Sequence, residues 1–213
     1  MKNIILIVII FAFFSCKCVE ETKCVRVKKS SEKKLSDEET AIINDFMNAE
    51  FKKEQYFKYK GYEIIIIKEA IKKSKNIDTY LYSLTDWKAM NKNRSINDAR
   101  DLYFLDSLQI NRIKSEIEKE TVYHWKTSDF KNVKVNLLNY EELSESINKG
   151  KYLKGKLIVY LSRPLIIDKN NAFISFDIGN GDMGFYPITH FTVSMKKEND
   201  KWIQSKFYED GVF

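Results

Sequence analysis

One segment of the chain has the glycine spacing of a phosphate-binding loop. The run Gly179-Asn180-Gly181-Asp182-Met183-Gly184 reads Gly-x-Gly-x-x-Gly. In a dinucleotide site such a loop joins a strand to a helix, because the helix N-terminus meets the pyrophosphate. Here Phe185-Tyr186-Pro187 follows and leads into a second strand pattern. We therefore interpret the segment as the connection of a hairpin, and the sequence predicts no bound cofactor.

The same region carries three oxygen-bearing side chains, Asp177, Asn180 and Asp182. Calcium takes several oxygen ligands from one loop, so such a cluster deserves consideration. The spacing differs from that of an EF-hand loop, and no glutamate follows in register. We predict no metal site.

The two histidines, His124 and His190, lie far apart in the sequence. His190 shares a predicted strand face with Thr192 and Ser194, which we interpret as the outer face of a sheet. Neither His-Glu-x-x-His nor Gly-x-Ser-x-Gly occurs, and none of the 30 acids stands out as half of a catalytic pair. We predict no catalytic residue. A hydrolase with paired carboxylates, or with His190 and an acid, stays an alternative.

Aromatic side chains form two sets that could bind sugars or nucleotides. Lysines alternate with aromatic residues over residues 55–62, and such an arrangement can stack on bases or sugar rings. The alternation also fits a half-buried strand, which we favour. Trp87, Trp202 and the run Tyr123-His124-Trp125 could form a sugar platform, but packing inside the fold is the simpler interpretation.

The chain is basic, with 36 lysines and arginines against 30 acids, a net charge of +6 and a pI near 9.0. Most of the cations are lysines interspersed with acids, whereas arginine makes the better bidentate phosphate contacts. We interpret this pattern as a solvated surface and predict no nucleic-acid partner. With 44% apolar residues, seven glycines and two prolines, the composition is typical of a folded protein.

All three cysteines, Cys16, Cys18 and Cys24, lie near the N-terminus. The rest of the chain therefore offers neither a cysteine nucleophile nor a cysteine-ligated zinc site. If Cys16 is modified, Cys18 and Cys24 either form a small disulfide loop or stay as thiols.

Hydrophobic periodicity predicts an α+β fold. A capping box from Ser36 to Glu39 opens a helix over residues 36–54. A second long helix is predicted over residues 99–119, with an inner face of Leu102, Leu105, Leu108, Ile113 and Ile117. A short helix is predicted over residues 140–148, while residues 77–90 fit either a strand or a helix. The predicted strands are residues 55–62, 63–71, 133–138, 157–161, 172–178, 188–196 and 202–208. We expect the two main helices, from about Ser36 and Ala99, to pack on a mostly antiparallel sheet.

The N-terminus has the parts of an export signal: Lys2, an apolar run over residues 4–14, and Ser15 before Cys16. That run is shorter than the about 20 residues of a membrane-spanning helix. The run Phe13-Phe14-Ser15-Cys16 resembles the lipobox of bacterial lipoproteins, in the loose form typical of Bacteroidota. The resemblance implies cleavage before Cys16, a diacylglycerol on its thiol and an acyl group on its new amine.

These boundaries divide the chain into a lipoprotein signal peptide (1–15), a flexible tether (16–35) and a single α+β domain (36–213). The C-terminal part also resembles the closing meander of small uncharacterised lipoproteins of the same group. The similar stretches are Ser162-Arg163-Pro164-Leu165-Ile166, Ala172-Phe173-Ile174 and Lys197-Glu198-Asn199-Asp200-Lys201-Trp202. This resemblance implies a fold and a compartment but no activity.

Together the resemblances imply a lipid-anchored protein of the cell envelope, expected at the outer membrane on its periplasmic face or the cell surface. We expect a non-catalytic binding or scaffolding domain, with membrane lipid as a partner through Cys16 and an envelope protein or glycan as a second partner. One alternative is an envelope hydrolase acting on glycans or peptides. Another is an immunity-type lipoprotein that binds one protein partner through an exposed aromatic patch around residues 56–62.

Overall fold

The computed structural model describes residues 34–99, 101–151, 153–182 and 184–211. The predicted signal peptide, the three cysteines and most of the tether lie outside the described residues. The described residues form four α-helices: α1 (Asp37–Glu50), α2 (Ser74–Met90), α3 (Ser107–Ile117) and α4 (Tyr140–Asn148). Short 3-10 helices span Glu54–Tyr59, Ile96–Ala99 and Thr127–Asp129. The strands are β1 (Glu63–Ile67), β2 (Val135–Leu138), β3 (Lys156–Leu161), β4 (Leu165–Ile166), β5 (Asn171–Asn180), β6 (Tyr186–Glu198) and β7 (Lys201–Tyr208).

The seven strands form one sheet in the order β2-β1-β3-β5-β6-β7, and β4 pairs with β5. Strand β1 runs parallel to both of its neighbours, β2 and β3, which are connected to each other through α4. The pairs β3–β5, β4–β5, β5–β6 and β6–β7 are antiparallel. The predicted α+β fold, with helices on a mostly antiparallel sheet, is confirmed.

Helix α1 begins where its capping box predicts. Ser36 Oγ accepts a hydrogen bond from the Glu39 N–H at 3.1 Å, and Glu39 Oε2 accepts one from the Ser36 N–H at 2.9 Å. Ile43 and Phe46 of this helix are fully buried, and Leu35, assigned above to the tether, packs in the same core. The helix ends at Glu50, four residues before the predicted end.

The strand predicted over residues 55–62 is wrong, because most of this segment is the 3-10 helix Glu54–Tyr59. Tyr56 is buried and its Oη donates a hydrogen bond to Glu50 Oε1 at 3.0 Å, whereas the neighbouring Phe57 is 65% exposed. Aromatic residues therefore line a tight helical turn here. Their spacing does not produce the two-sided burial of a strand.

The predicted placement of the second long helix is also wrong. Asp106 Oδ1 accepts from the Gln109 N–H at 2.8 Å, and Gln109 Oε1 accepts from the Asp106 N–H at 2.9 Å, so a capping box starts α3 only at Ser107. Leu108, assigned to the inner face, is 81% exposed. The longer helix is α2, in the region where the pattern left strand and helix open. Its apolar residues recur at the helical period and lie in one core cluster, namely Ile77, Tyr80, Leu81, Leu84 and Trp87.

Helices cover both faces of the sheet. On one face Phe46 of α1 contacts Phe176 of β5, with ring centroids 4.9 Å apart. On the other face Tyr80 of α2 contacts Phe173 of β5, with centroids 5.4 Å apart. Leu143 of α4 packs on this second face against β1 and β3. Strand β5 thus lies between two layers of helices, and its alternate residues face opposite layers.

Helix α1 also lies along the edge strand β7. The Trp202 N–H donates to Asp45 Oδ2 at 2.9 Å, and the Trp202 Nε1–H donates to Glu38 Oε1 at 3.0 Å. Gln204 Nε2 donates to Glu50 Oε2 at 2.8 Å. These side-chain bonds attach α1 to β7 at Trp202 and Gln204.

Candidate functional site

The candidate site is a cavity of about 480 Å³ on the α2 face of the sheet, which we call the Asp177 cavity. It lies beyond the apolar core, where α2 and the start of α4 approach strands β3, β5 and β6. Ionisable and aromatic side chains share its wall. The lining residues are Ile71, Lys75, Thr79, Tyr140, Tyr160, Ser175, Phe176, Asp177, Phe185, Pro187, His190, Phe191 and Asp210.

The alternation of β5 positions Asp177 at this cavity. Phe173, Ser175 and Asp177 occupy successive positions on the α2 face, because every second residue of a strand faces the same way. Phe173 lies in the apolar core, and Ser175 donates a hydrogen bond to Asn76 of α2 at 2.9 Å. Asp177 follows one step further along the same face. The face therefore changes from apolar to polar to ionisable along one strand.

Three further ionisable side chains meet at the cavity. His190 lies opposite Asp177 in the register of β5 and β6. Its Nε2 is 3.2 Å from Oδ1 of Asp210, and Lys75 Nζ is 2.5 Å from Oδ2 of the same carboxylate. Asp210, which follows β7, thus contacts a histidine from the sheet and a lysine from α2.

A buried network of hydroxyl groups lies beside the cavity. Asn76 Oδ1 accepts from Ser175 Oγ at 2.9 Å and from Ser162 Oγ at 3.3 Å, and Thr192 Oγ1 lies 2.7 Å from Ser175 Oγ. Because the single hydroxyl hydrogen of Ser175 goes to Asn76, Thr192 donates to Ser175. The polar face of β6 predicted as the outer face of the sheet is therefore an inner face, so that interpretation is wrong. Its hydroxyl groups are buried with partners from the neighbouring strands, since Thr192 pairs with Ser175 of β5 and Ser194 Oγ accepts from the Lys206 N–H of β7 at 3.0 Å.

Two polar atoms at the cavity have no hydrogen-bond partner within the described residues, Asp177 Oδ1 and Thr79 Oγ1. Thr79 is 2% exposed, so water has little access to its hydroxyl. A buried polar group without a partner costs about 1–3 kcal/mol. The fold bears this cost where α2 faces β5, and a bound molecule could supply the missing partners.

Burial raises the pKa of Asp177 to about 6. Loss of water disfavours the ionised carboxylate, and the neighbouring charge of Asp210 acts in the same direction. The positive charges of His190 and Lys75 oppose this rise. The carboxyl of Asp177 therefore titrates close to neutral pH, as an acid must if it is to exchange protons under physiological conditions.

Aromatic rings form part of the cavity wall. Tyr160 and Phe185 meet edge to face with centroids 5.4 Å apart, and burial raises the pKa of Tyr160 to about 12. Phe185 lies directly over Gly179, where a Cβ would stand 2.6 Å from its Cε2 and 2.8 Å from the Tyr186 carbonyl oxygen. The first glycine of the Gly-x-Gly-x-x-Gly segment therefore makes room for an aromatic ring of the cavity.

That glycine segment connects β5 directly to β6, which confirms its interpretation as a hairpin connection. Its candidate calcium ligands do not act together. Asp182 accepts hydrogen bonds from Tyr62 Oη and from the Gly155 N–H, both at 2.9 Å, whereas Asp177 lines the cavity. Within the described residues, no group of three or more histidines, cysteines and acids is placed to hold a metal ion.

The tryptophans do not form a sugar platform, and their interpretation as packing residues is confirmed for two of them. Trp125 is fully buried and its Nε1–H donates to the Leu161 carbonyl at 3.2 Å. Trp202 is buried beside α1. Trp87 packs on Tyr103 in the α2–α3 core, with centroids 6.0 Å apart. His124 forms a backbone bridge with Glu69 and does not line the Asp177 cavity, whereas His190 does.

Sequence reasoning missed a buried ion pair between α1 and the segment after β3. Arg163 Nε and Nη2 donate to Glu39 Oε1 and Oε2 at 3.0 and 2.8 Å, and Lys73 Nζ lies 3.3 Å from Oε1. Burial opposes ionisation of Glu39, but these partners and the Ser36 N–H hold its pKa below the usual value. A second cavity, of about 370 Å³, lies beside Arg163 and Tyr123. No local pattern predicts the pair, because 124 residues separate its members.

A third cavity, of about 490 Å³, is a groove along the 3-10 helix Glu54–Tyr59. Phe57 is exposed at this groove, while Tyr59 and Tyr62 meet at 5.3 Å between ring centroids. The aromatic patch that the immunity-type alternative requires is therefore present in part, since Tyr56 is buried.

Comparisons with known proteins returned no relatives. No protein-family model matches the chain, and neither a curated protein nor a solved structure is significantly similar to it. Among the described helices, none combines the length and the apolar character needed to cross a bilayer.

Proposed function

We propose that the chain is a membrane-anchored lipoprotein of the cell envelope whose folded domain binds a small ligand in the Asp177 cavity without transforming it. The observation that carries the binding part is the pair of unpartnered polar atoms, Asp177 Oδ1 and Thr79 Oγ1, at a cavity with aromatic walls. Small-molecule sites typically combine an apolar lining with a few converging polar groups in about 300–1,000 Å³.

The free-energy cost of buried polar groups without partners favours a bound ligand over an empty cavity. Polar groups that are buried without partners destabilise a fold, so they are usually satisfied or serve a purpose. Asn76 Oδ1, Ser175 and Thr192 pair with one another, although Asn76 Nδ2 has no partner within the described residues. At the cavity itself, Thr79 Oγ1 and Asp177 Oδ1 also lack one. A ligand that offers hydrogen bonds to these two groups would remove that cost on binding.

The anchoring part of the proposal depends on Cys16 and its lipobox-like surroundings. Two or three acyl chains give durable membrane attachment, because each buried methylene contributes about 0.8 kcal/mol and a single chain binds only marginally. Attachment at residue 16 would leave a short tether before the domain that begins near Ser36. The ligand cavity would then be held close to the membrane surface.

Anchoring is tested by detergent phase partitioning and intact mass of the protein expressed in a host with lipoprotein processing. We expect the wild type to enter the detergent phase with added acyl mass, and Cys16→Ala to remain aqueous without it. Cys18→Ala serves as the matched control and should behave as the wild type. An aqueous, unlipidated wild type would overturn the anchor and leave the cavity proposal standing.

Ligand binding is tested by incubating the purified domain with small-molecule extracts of cell envelopes and analysing the retained compounds by native mass spectrometry. We expect a retained species on the wild type that is lost in Asp177→Asn. Asp37→Asn, an exposed substitution in the first turn of α1, is the matched control. If the wild type and both variants retain the same compounds, the cavity is not the site.

A hydrolase acting on glycans or peptides is a second candidate, because Asp177, Asp210 and His190 line one cavity. A carboxyl with a pKa near 6 beside an ionised carboxylate is the pairing that general acid catalysis uses. Incubation with purified peptidoglycan and with casein tests it. If the wild type releases new reducing ends or peptides and Asp177→Asn does not, the hydrolase is favoured. If the wild type releases no more product than Asp177→Asn, these substrates are excluded.

A further inference from the structure

We propose that the Asp177 cavity takes a small organic cation, a protonated amine whose ammonium group lies between Asp177 and the aromatic wall. This inference rests on the proposed ligand-binding function and names the class of ligand. It follows from the balance of charge, the missing hydrogen-bond donors and the aromatic lining of the cavity.

The charge balance leaves one carboxylate without a matching cation. Lys75, Asp177, His190 and Asp210 are the lysine, aspartate and histidine side chains of the lining. Lys75 contacts Asp210 at 2.5 Å, so these two charges compensate each other. His190 contacts that same Asp210 carboxylate at 3.2 Å, so both basic side chains of the lining lie against Asp210, and Asp177 Oδ1 has no hydrogen-bond partner within the described residues. A ligand with one positive charge would neutralise the ionised Asp177, whereas an anion would meet repulsion in a site with little water.

The hydrogen-bond balance points to a ligand that donates. Asp177 Oδ1 can only accept when the carboxyl is ionised, and Thr79 Oγ1 can accept as well as donate. An ammonium group carries three donors and no acceptor, so it can satisfy both atoms at once. A hydroxyl group could also serve both atoms, by donating to Asp177 and accepting from Thr79, but it brings no positive charge to the carboxylate.

The aromatic wall suits a cation carried on an apolar body. Tyr160 and Phe185 present rings to the cavity, and Tyr140 stands exposed at its rim at the start of α4. The faces of such rings attract cations and stabilise them by about 0.5–2 kcal/mol. The apolar remainder of the amine would pack on Phe185 and Pro187, which lie at the same end of β6.

A matched pair of probes tests the charge without altering the protein. Tryptamine and tryptophol have the same indole body and chain length and differ in carrying an ammonium or a hydroxyl group. We expect tryptamine to bind at least about tenfold more tightly, as measured by chemical-shift titration of the labelled domain. Shifts should centre on Thr79, Asp177 and His190.

Asp177→Asn is the matching variant, because it keeps the shape of the side chain and removes its charge. It should reduce the affinity for tryptamine to that for tryptophol and leave tryptophol binding unchanged. Asp37→Asn, on the opposite face of the sheet, should preserve the tenfold preference. Thermal unfolding of each variant shows whether it is folded before the titration is interpreted.

The outcomes separate the two proposals. If tryptophol binds as tightly as tryptamine with shifts at the cavity, the cation assignment is overturned and the ligand-binding function stands. The cation assignment is also overturned, and the ligand-binding function stands, if neither probe binds but the envelope extract yields a neutral ligand that the wild type retains and Asp177→Asn does not. If neither probes nor extract give binding at the cavity, both proposals fail.

Discussion

Asp177 ends a strand face that starts in the apolar core, and its carboxyl loses water without gaining a partner at Oδ1. The cost falls on the ionised form, which is why the pKa rises. A group in this state is sensitive to anything that changes the local charge, including a bound cation. The pKa of Asp177 is therefore expected to change when a charged molecule binds in the cavity.

This titration predicts a dependence of stability on pH. Because the pKa of Asp177 rises from 3.8 to about 6 on folding, the native state holds more protons between these values, and stability falls as the pH rises through them. We expect Asp177→Asn to gain stability relative to the wild type from about pH 4 to about pH 7, on the order of 1–2 kcal/mol after allowance for solvent screening.

Urea unfolding of both proteins across that range measures the difference. Lys75, His190 and Asp210 face residue 177 in both proteins, so the comparison changes only the ionisable group at that position. A difference that stays constant with pH would mean that Asp177 ionises like an exposed acid.

The Glu39–Arg163 pair gives a second prediction at this scale. Glu39→Gln leaves the buried Arg163 without a full counter-charge, and removing one member of a buried pair typically costs about 3–5 kcal/mol. Glu116→Gln, which breaks an exposed contact with Arg112, is the control and should cost less than about 1 kcal/mol. Urea unfolding at neutral pH measures both, and equal losses would contradict the assigned role of the buried pair.

Helix boundaries in this protein follow capping boxes more closely than hydrophobic runs. Asp106 with Gln109, and Asn139 with Glu142, define the starts of α3 and α4 as Ser36 with Glu39 defines that of α1. The side chains satisfy N–H groups that a helix terminus leaves without intrahelical partners.

The cap of α3 can be tested by Asp106→Ala. We expect a loss of about 1 kcal/mol in the free energy of unfolding, because the Gln109 N–H loses its acceptor. Leu108→Ala in the same helix should change stability by less than about 0.5 kcal/mol, because this leucine is exposed. Chemical denaturation followed by circular dichroism compares them, and a larger effect at Leu108 would restore the predicted inner face.

Elements with a clear period were predictable, and those with mixed signals were not. The capping box of α1 and the alternation of β5 and β6 depend on nearby residues, so the sequence shows them. Helix α2 was ambiguous because aromatic and β-branched residues favour strands locally, and only its packing on Phe173 and Tyr208 decides for a helix.

The cavity could not be predicted, because Lys75, Asp177 and Asp210 come from separate elements. One signal was present in the sequence: Asp177 interrupts an apolar strand between Phe176 and Ile178, opposite the only histidine of that sheet region. Only the fold shows that Lys75 and Asp210 lie at the same cavity as Asp177.

At the scale of the whole molecule, the sheet separates two cores that share β5. The α1 side has the larger cluster of buried apolar residues and also holds the buried Glu39–Arg163 pair, whereas the α2 side contains the hydroxyl network and the Asp177 cavity. One side therefore supplies most of the hydrophobic stabilisation, which leaves the other side free to carry polar groups at a cost. Under the proposed function, the ligand binds on the side of the sheet that contributes less to stability.

The bonds between α1 and β7 also have a consequence for self-association. An edge strand offers its free amides and carbonyls to strands of other molecules, which is how sheets extend into aggregates. Here the outward N–H of Trp202 is already bonded to Asp45, and Gln204 is tied to Glu50 of the same helix. At the opposite edge, β2 has only four residues. Under the proposed anchoring, copies crowded on a membrane surface would meet edges that are poor templates for a further strand.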